Sequence, residues 1–313
     1  MKIILSGGSG YIGTKLIQKL LDAGEELTVL SRSENDFLRS LKKEKIELVL
    51  HDLASGVMPP ERTGDVFIHT AAANDIDSVS PSVALSSTVL TTRQALEYCV
   101  KNRIPKFIYF STFQVYGKVE GEMNESTEIT PVNDYGLTHF FAEEYVRMYQ
   151  RKHAVSYIIL RPTNIYGSPV DRTIDRWSLV PNCFCKEAAE TGRIILQSSG
   201  KQTRDFVNLE DLAGITHSFC RNFDAFSNRS INVSSGNNYT ILEIAELVKE
   251  RYEEIYPGKC VIEIRSDQPS VPNEYQIDRE TMLATGFRFG DRKNIVAEID
   301  RTFQCIGKTN KPV

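Results

Sequence analysis

The chain has 313 residues, 41% of them hydrophobic and 25% charged, which is enough for one doubly wound domain with additions or for two lobes. A net charge of −4 argues against general binding to nucleic acid or to an anionic membrane surface, and no apolar run approaches the length of a membrane span. The N-terminal apolar run is four residues long, too short for a signal segment, and the six cysteines (99, 183, 185, 220, 260 and 305) show no C-x-x-C pairing or zinc spacing. Reduced thiols in a cytoplasmic protein are therefore expected.

Lys2-Ile3-Ile4-Leu5 reads as a strand buried on both faces. It runs into Ser6-Gly7-Gly8-Ser9-Gly10, after which Ile12, Leu16, Ile17, Leu20 and Leu21 set a helical period. Glycines at 7, 10 and 13 then occupy a strand-turn-helix junction. The first allows a tight turn, the second lets backbone approach a pyrophosphate, and the third permits close packing of the helix. The free N–H groups at the helix start, around Tyr11 and Ile12, would face the phosphates. The spacing is G-x-x-G-x-x-G, and its position between a buried strand and an amphipathic helix predicts dinucleotide binding.

Glu26 to Leu30 is a second strand, followed by Ser31-Arg32-Ser33 with no carboxylate at the strand end. An acidic residue there would accept from the ribose hydroxyls, whereas arginine suits a 2′-phosphate, so Ser31 and Arg32 favour NADP over NAD. A solvated loop arginine is the alternative. Ile46 to Leu50 is a third strand, with Asp52 and Leu53 beyond it as an adenine-edge contact. Val66 to His69 is a fourth, ending in Thr70-Ala71-Ala72-Ala73, whose small residues let backbone approach a ligand. Residues 82–102 read as a helix with Val83, Leu90, Ala95 and Leu96 among its apolar positions.

Lys106 to Phe110 is a fifth strand leading into Ser111-Thr112. Tyr135 opens a long helical pattern, and His139 lies one turn on, sharing its face. A strand-end hydroxyl at Thr112 and a helix-start tyrosine can converge on one carbonyl, with the tyrosine moving the proton. Spacing alone leaves open that Tyr135 is a packing residue. Tyr157 to Leu160 is a sixth strand. Residues 168–205 leave the sheet, with helix from Val180 to Glu190 and strand from Arg193 to Leu196. The chain returns through 206–235, with Ile231 to Val233 as the last strand. Thr240 and Glu243 form a capping box for a helix to about Tyr252. The tail supplies a strand near Cys260 to Arg265, a Pro-rich loop and a helix near Asn294 to Phe303.

These motifs together resemble the extended short-chain dehydrogenase/reductases of the nucleotide-sugar epimerase/dehydratase type. The resemblance rests on the ordered set Gly7-x-x-Gly10-x-x-Gly13, His69-Thr-Ala-Ala, Ser111-Thr112-x-x-Val115-Tyr116-Gly117, the Tyr135 helix, Leu160-Arg161-Pro162-x-Asn164-Ile165-Tyr166-Gly167, Arg204-Asp205-Phe206-Val207-Asn208 and Asn232-Val233-Ser234-Ser235-Gly236. It implies a Rossmann-type α/β fold: an NAD(P)-binding part from residues 1–166 plus 206–235, and a substrate lobe from 167–205 plus 236–313. It also implies hydride transfer between a sugar carbon and a nicotinamide, with Tyr135 handling the hydroxyl proton and Thr112 assisting. Pro162 and Asn164 would lie at the cofactor, Asn164 also facing substrate. Arg204, and more weakly Arg265, would meet the substrate diphosphate. An ion pair with Asp205 or Asp211 is the alternative for Arg204.

There are two departures from the family pattern. The family lysine, which lowers the tyrosine pKa and holds the nicotinamide ribose, is replaced by His139. A free tyrosine titrates near 10 and a free histidine near 6.5, and each pKa unit of lost suppression is worth about 1.4 kcal/mol. Phe113 and Gln114 stand where family dehydratases carry an acidic pair, which disfavours dehydration. The expected activity is an NADP-dependent reductase or dehydrogenase acting on a nucleotide-linked sugar. The alternatives are an epimerase that recycles one NAD internally, or a nucleotide-binding regulatory protein that has lost catalysis. By analogy a homodimer would form through helices 82–102 and 135–152.

Overall fold

A computed structural model of the chain describes residues 1–41, 46–265 and 275–307. The Pro-rich loop expected after Arg265 lies largely outside the described residues. Seven parallel strands form the central sheet: β1 (Lys2–Ser6), β2 (Glu26–Ser31), β3 (Ile46–Leu50), β4 (Val66–His69), β5 (Lys106–Phe110), β6 (Ser156–Pro162) and β7 (Arg229–Val233). Their order is β7-β6-β5-β4-β1-β2-β3. The chain therefore winds outward from β1 in one direction through β3, then crosses back to β4 and winds the other way. That reversal opens a crevice at the carboxyl ends of β1 and β4, where open α/β sheets bind ligands.

Alternation along each strand sends side chains to two helical layers. Ile3 and Leu5 of β1 pack with Leu16, Ile17 and Leu20 of helix α1 (Tyr11–Asp22), whereas Ile4 faces Leu96 and Tyr98 on the opposite side. The latter layer is built from α2 (81–101) and α3 (Asp134–His153). The first layer is completed by α4 (Leu209–Arg221), whose Leu212, Ile215 and Phe219 share the α1 cluster. All four residues of β4 are buried, as its uninterrupted apolar run requires.

α2 is not a uniform helix. Residues Leu85–Leu90 form a π-helical stretch between two α-helical ones. Each wider turn shifts the later residues around the axis, so the apolar period read across 82–102 breaks. Ala95 and Leu96 are buried as expected, but Val83 and Leu90 are 39% and 49% exposed.

The return of residues 206–235 is split. Thr203–Asn208 pairs with Asn164–Tyr166 and Asn238–Thr240 in a separate three-stranded sheet, and only Arg229–Val233 joins the main one. Helices Asn182–Thr191, Ile241–Ile255 and Arg292–Gly307 enclose a second core with Phe184, Ile194, Phe206, Ile244, Val248, Ile299 and Phe303. Thr240 and Glu243 make the reciprocal capping box at the start of the second of these.

Candidate active site

The turn after β1 is held by backbone. The Gly7 and Gly8 N–H groups donate to the Leu30 carbonyl at 3.1 and 3.5 Å, and Gly10 N–H donates to Gly7 at 3.0 Å. Gly7 has φ +81°, and a Cβ there would lie 2.6 Å from Thr70 Oγ1 and 2.7 Å from the Ala71 nitrogen. A Cβ on Gly13 would lie 2.1 Å from the Gly7 carbonyl oxygen, so only glycine lets α1 seat against the turn. At Gly10, the N-cap, the nearest atom would be that same oxygen at 3.2 Å. No side chain caps α1 and its first turn carries no acidic residue, which leaves its N–H groups and positive dipole end available to an anion.

Beside this turn lies a cavity of about 130 Å³ lined by Gly7, Ser9, Gly10, Ser31, Arg32, Asp52, Leu53, Thr70, Ala71 and Ala72, together with Ser87 and Thr91. Arg32 is exposed there, and no acidic side chain among the described residues pairs with it. Ser31 donates to both Ser9 Oγ and the Ser33 carbonyl, which shapes the turn after β2. Asp52 caps the short turn Leu53–Ser55 through the Ala54 N–H at 2.9 Å. Thr70 Oγ1 donates to the Ser6 carbonyl at 2.8 Å and pins the ends of β1 and β4 together. Tyr11 turns its hydroxyl away, donating to the Gly167 carbonyl at 2.6 Å, so only its main chain and that of Ile12 face the turn. Uncapped helix start, close glycines and a lone cation at the end of β2 fit a dinucleotide. Ser87 and Thr91 escaped the sequence reading because the π-helical stretch brings them round. The hydroxylated residues Ser86, Ser87, Thr88, Thr91 and Thr92, on either side of Val89 and Leu90, were the available signal.

A second cavity, of about 370 Å³, is lined by Thr112, Phe113, Gln114, Gly117, Val119, Pro162, Thr163, Asn164, Arg204 and Tyr275. Thr112 ends β5 in extended backbone, and its hydroxyl accepts from the Gln114 N–H at 3.2 Å. Tyr135 stands in the first turn of α3, which is capped by the Asn133 side chain and carries Gly136 tight against the Gln114 carbonyl. A Cβ on Gly136 would lie 2.6 Å from that oxygen, so this glycine sets how closely the tyrosine helix approaches Thr112. Burial pushes the Tyr135 phenol above its ordinary value, while hydrogen bonding from Thr112 and the charge of Arg176 pull it down and Asp75 pushes it up.

Asn164 Nδ2 donates to the Asp205 carbonyl at 2.9 Å, and the Arg204 guanidinium donates to the Thr203 carbonyl at 3.0 Å. Arg204 makes no ion pair with Asp205 or Asp211 among the described residues. The Asp205 carboxylate is taken up by Thr163, Ser235 and Gly236, and Asp211 accepts from the Gly290 N–H. Arg265 is exposed at the end of strand Val261–Ile264, outside the lining of this cavity. Tyr275, Val119 and Gly117 line it and were not anticipated.

Below Tyr135 the helix face is polar and buried. His139 is 3% exposed, sits edge-on to the Tyr135 ring at 4.7 Å between centroids, and shares a 2.8 Å hydrogen bond between Nδ1 and the Tyr109 hydroxyl. Its Nε2 has no partner among the described residues. Burial lowers the His139 pKa to about 4, overriding the nearby Glu143 carboxylate, so the ring is neutral. Glu143 itself accepts from Arg161 Nε at 2.9 Å and Nη2 at 2.6 Å, from Arg147 at 2.8 Å and from Ser111 at 2.6 Å. The network continues from Arg161 to the Tyr116 hydroxyl and on to Asn232. This cluster clamps α3 to the ends of β5 and β6 and so fixes Tyr135 over the sheet edge.

The family model for the NAD dependent epimerase/dehydratase family matches residues 3–234. A protein of Methanocaldococcus jannaschii that carries the provisional name UDP-glucose 4-epimerase is 28% identical over 99% of both chains. Among solved structures, UDP-glucuronic acid 4-epimerase from Bacillus cereus, in complex with UDP-glucuronic acid and NAD, superposes with a TM-score of 0.81 at 20% identity, covering 99% of this chain and 100% of its own. UDP-glucose 4-epimerase from Thermotoga maritima, with UDP-glucose, gives 0.80 at 20% identity, again over 99% and 100%.

Proposed function

This chain belongs to the NAD-dependent epimerase/dehydratase family, and from that premise we propose that it epimerises a uridine diphosphate-linked sugar with one retained nicotinamide dinucleotide. The carrying observation is the seating of the Tyr135 helix against the turn that follows Thr112, where Gly136 meets the Gln114 carbonyl, beside a cavity lined by Thr112, Asn164 and Arg204. When bound, the nicotinamide supplies a hydride acceptor and, in the return direction, a donor. Tyr135 takes the proton of the sugar hydroxyl and later gives it back, so the cycle consumes no cofactor. Thr112 hydrogen-bonds the same oxygen. Arg204 neutralises the diphosphate, for which its planar donors are suited. Phe113 and Gln114 offer no acid or base for eliminating water.

One observation favours a second reading. Arg32, exposed with no carboxylate at the end of β2, suits a 2′-phosphate and hence a reductase that exchanges NADP. The unpaired cysteines fit a reducing compartment such as the cytoplasm, and no helix among the described residues is long and apolar enough to cross a membrane. Outward apolar residues on α2 and α3 support a homodimer.

The test has two parts. Small molecules released on denaturing the purified protein are identified by mass spectrometry, and UDP-glucose is incubated with the protein and its products separated. Retained NAD with formation of the 4-epimer supports the proposal, and Tyr135→Phe is expected to slow turnover by about a hundredfold or more. Release or tight binding of NADP(H), with oxidation of NADPH when sugar nucleotide is added, would replace the epimerase with the reductase.

A further inference from the structure

An amide side chain carries a donor edge and an acceptor edge on opposite sides of one carbon, so fixing either edge fixes what the other offers. Two amides, Gln114 and Asn164, line the cavity of about 370 Å³, and neighbours fix both. Asn133 settles the first. As N-cap of α3 it accepts the Gly136 N–H on Oδ1 at 2.8 Å, which commits its other edge, Nδ2, to donating. That Nδ2 donates to Gln114 Oε1 at 3.1 Å. The acceptor edge of Gln114 is thereby taken by a residue outside the cavity lining, and Nε2, on the far edge, has no acceptor among the described residues. The Gln114 main chain is fixed as well. Its N–H donates to Thr112 Oγ1 at 3.2 Å, its carbonyl accepts from the Gly117 N–H at 3.1 Å, and Gly136 packs on that carbonyl, which seats Gln114 against the first turn of the Tyr135 helix.

Asn164 is fixed the opposite way. Its Nδ2 donates to the Asp205 carbonyl at 2.9 Å, so Oδ1 is the edge left open. The wall of the cavity thus carries an open donor at Gln114 and an open acceptor at Asn164. A sugar hydroxyl satisfies either one, because it both donates and accepts. For a hydroxyl partner the direction of the Gln114 amide would be indifferent. Only an oxygen that cannot donate makes use of an amide held donor-outward. No carboxylate lines this cavity among the described residues, so nothing in the lining repels an acceptor or an anionic substituent.

On the reading of this cavity as the sugar site, we propose that Gln114, turned donor-outward by Asn133, is a specificity-determining residue that selects a sugar bearing an acceptor-only oxygen. The carboxylate of a uronic acid and the carbonyl of an acetamido group share that chemistry. Asn164 takes a hydroxyl proton from the same sugar, and a sugar with hydroxyls alone is the weaker ligand. Asn133 is the positioning residue, acting through Gln114.

The test is calorimetric titration of the NAD-loaded protein with UDP-glucose, UDP-glucuronic acid and UDP-N-acetylglucosamine. At least one of the last two is expected to bind about three- to tenfold more tightly than UDP-glucose, and which one gains separates carboxylate from acetamide. Gln114→Met removes both edges and should bring that ratio to about one. Asn133→Asp should do the same with Gln114 intact. Aspartate caps a helix as well as asparagine does, but its second oxygen accepts from Gln114 Nε2 and turns Oε1 to the cavity. A role confined to capping α3 would leave the ratio unmoved in that variant and would overturn the part given to Asn133. Ratios near one in the unaltered protein, or a ratio unchanged in Gln114→Met, overturn the role of Gln114. If UDP-glucose is nonetheless bound and epimerised, the epimerase reading stands and only this inference falls. If none of the three sugar nucleotides binds, both fall.

Discussion

His69 and His139 lie on one buried stack of rings, with His69 6.0 Å from Tyr109 and Tyr109 5.9 Å from His139, that ends at Tyr135. His69 shares hydrogen bonds with Ser6 and Thr92, and burial lowers its pKa to about 3, as it lowers that of His139 to about 4. Both values lie below the unfolded value near 6.5, so the unfolded chain binds more protons as pH falls. The stability these groups contribute is complete above about pH 6.5 and is lost as pH drops toward 4, at about 1.4 kcal/mol per unit for each. Urea midpoints measured from pH 7 to pH 5 should fall accordingly, and His139→Gln should flatten the slope by about half. At this scale the sequence identifies His139 as the substitute for a lysine and, from its one-turn spacing, the face it shares with Tyr135. Depth is not legible in that spacing, because it depends on Tyr109 from β5 closing over the ring.

At the scale of elements, the junction from β1 to α1 was readable because each of its glycines answers a local constraint. Those constraints differ, and so should the consequences of filling them. Gly13→Ala forces a Cβ into the Gly7 carbonyl and should cost about 3 kcal/mol of stability along with dinucleotide affinity. Gly10 has ordinary extended dihedrals and looser surroundings, so Gly10→Ala should cost about 1 kcal/mol or less while weakening NAD binding at least tenfold. Denaturation curves and calorimetric titration with NAD separate the two effects. α2 was read less well. Its boundaries held to within a residue, but the π-helical stretch rotated its face, turned Val83 and Leu90 outward and brought Ser87 and Thr91 to the cavity. A 3.6-residue period carries no warning of such a widened turn.

For the whole molecule, the alternation of strand and helix predicts a doubly wound parallel sheet, and the capping box and buried runs placed most elements in sequence. The small sheets did not announce themselves. Asn164–Tyr166 and Asn238–Thr240 are three-residue strands whose pairing partner, Thr203–Asn208, lies far away in the chain. On the outer faces of α2 and α3, Val83, Leu90, Leu137, Phe141 and Met148 remain exposed, Phe141 by 42%. Such a row on adjacent helices suits a second copy of the chain. Light scattering should therefore report a dimer, and Phe141→Glu should convert it to monomer without lowering the pH-dependent stability described above. The seventh strand has one more consequence. Because β7 and α4 come from residues 209–233, after the chain has already visited the other core, no single cut yields two halves that each keep their own interior. A fragment ending at Tyr166 would bare the flank of β6 and the apolar stripe of α1. Exchange of the part around the second core for another would therefore have to proceed through inserts within one continuous chain, and not by joining modules end to end.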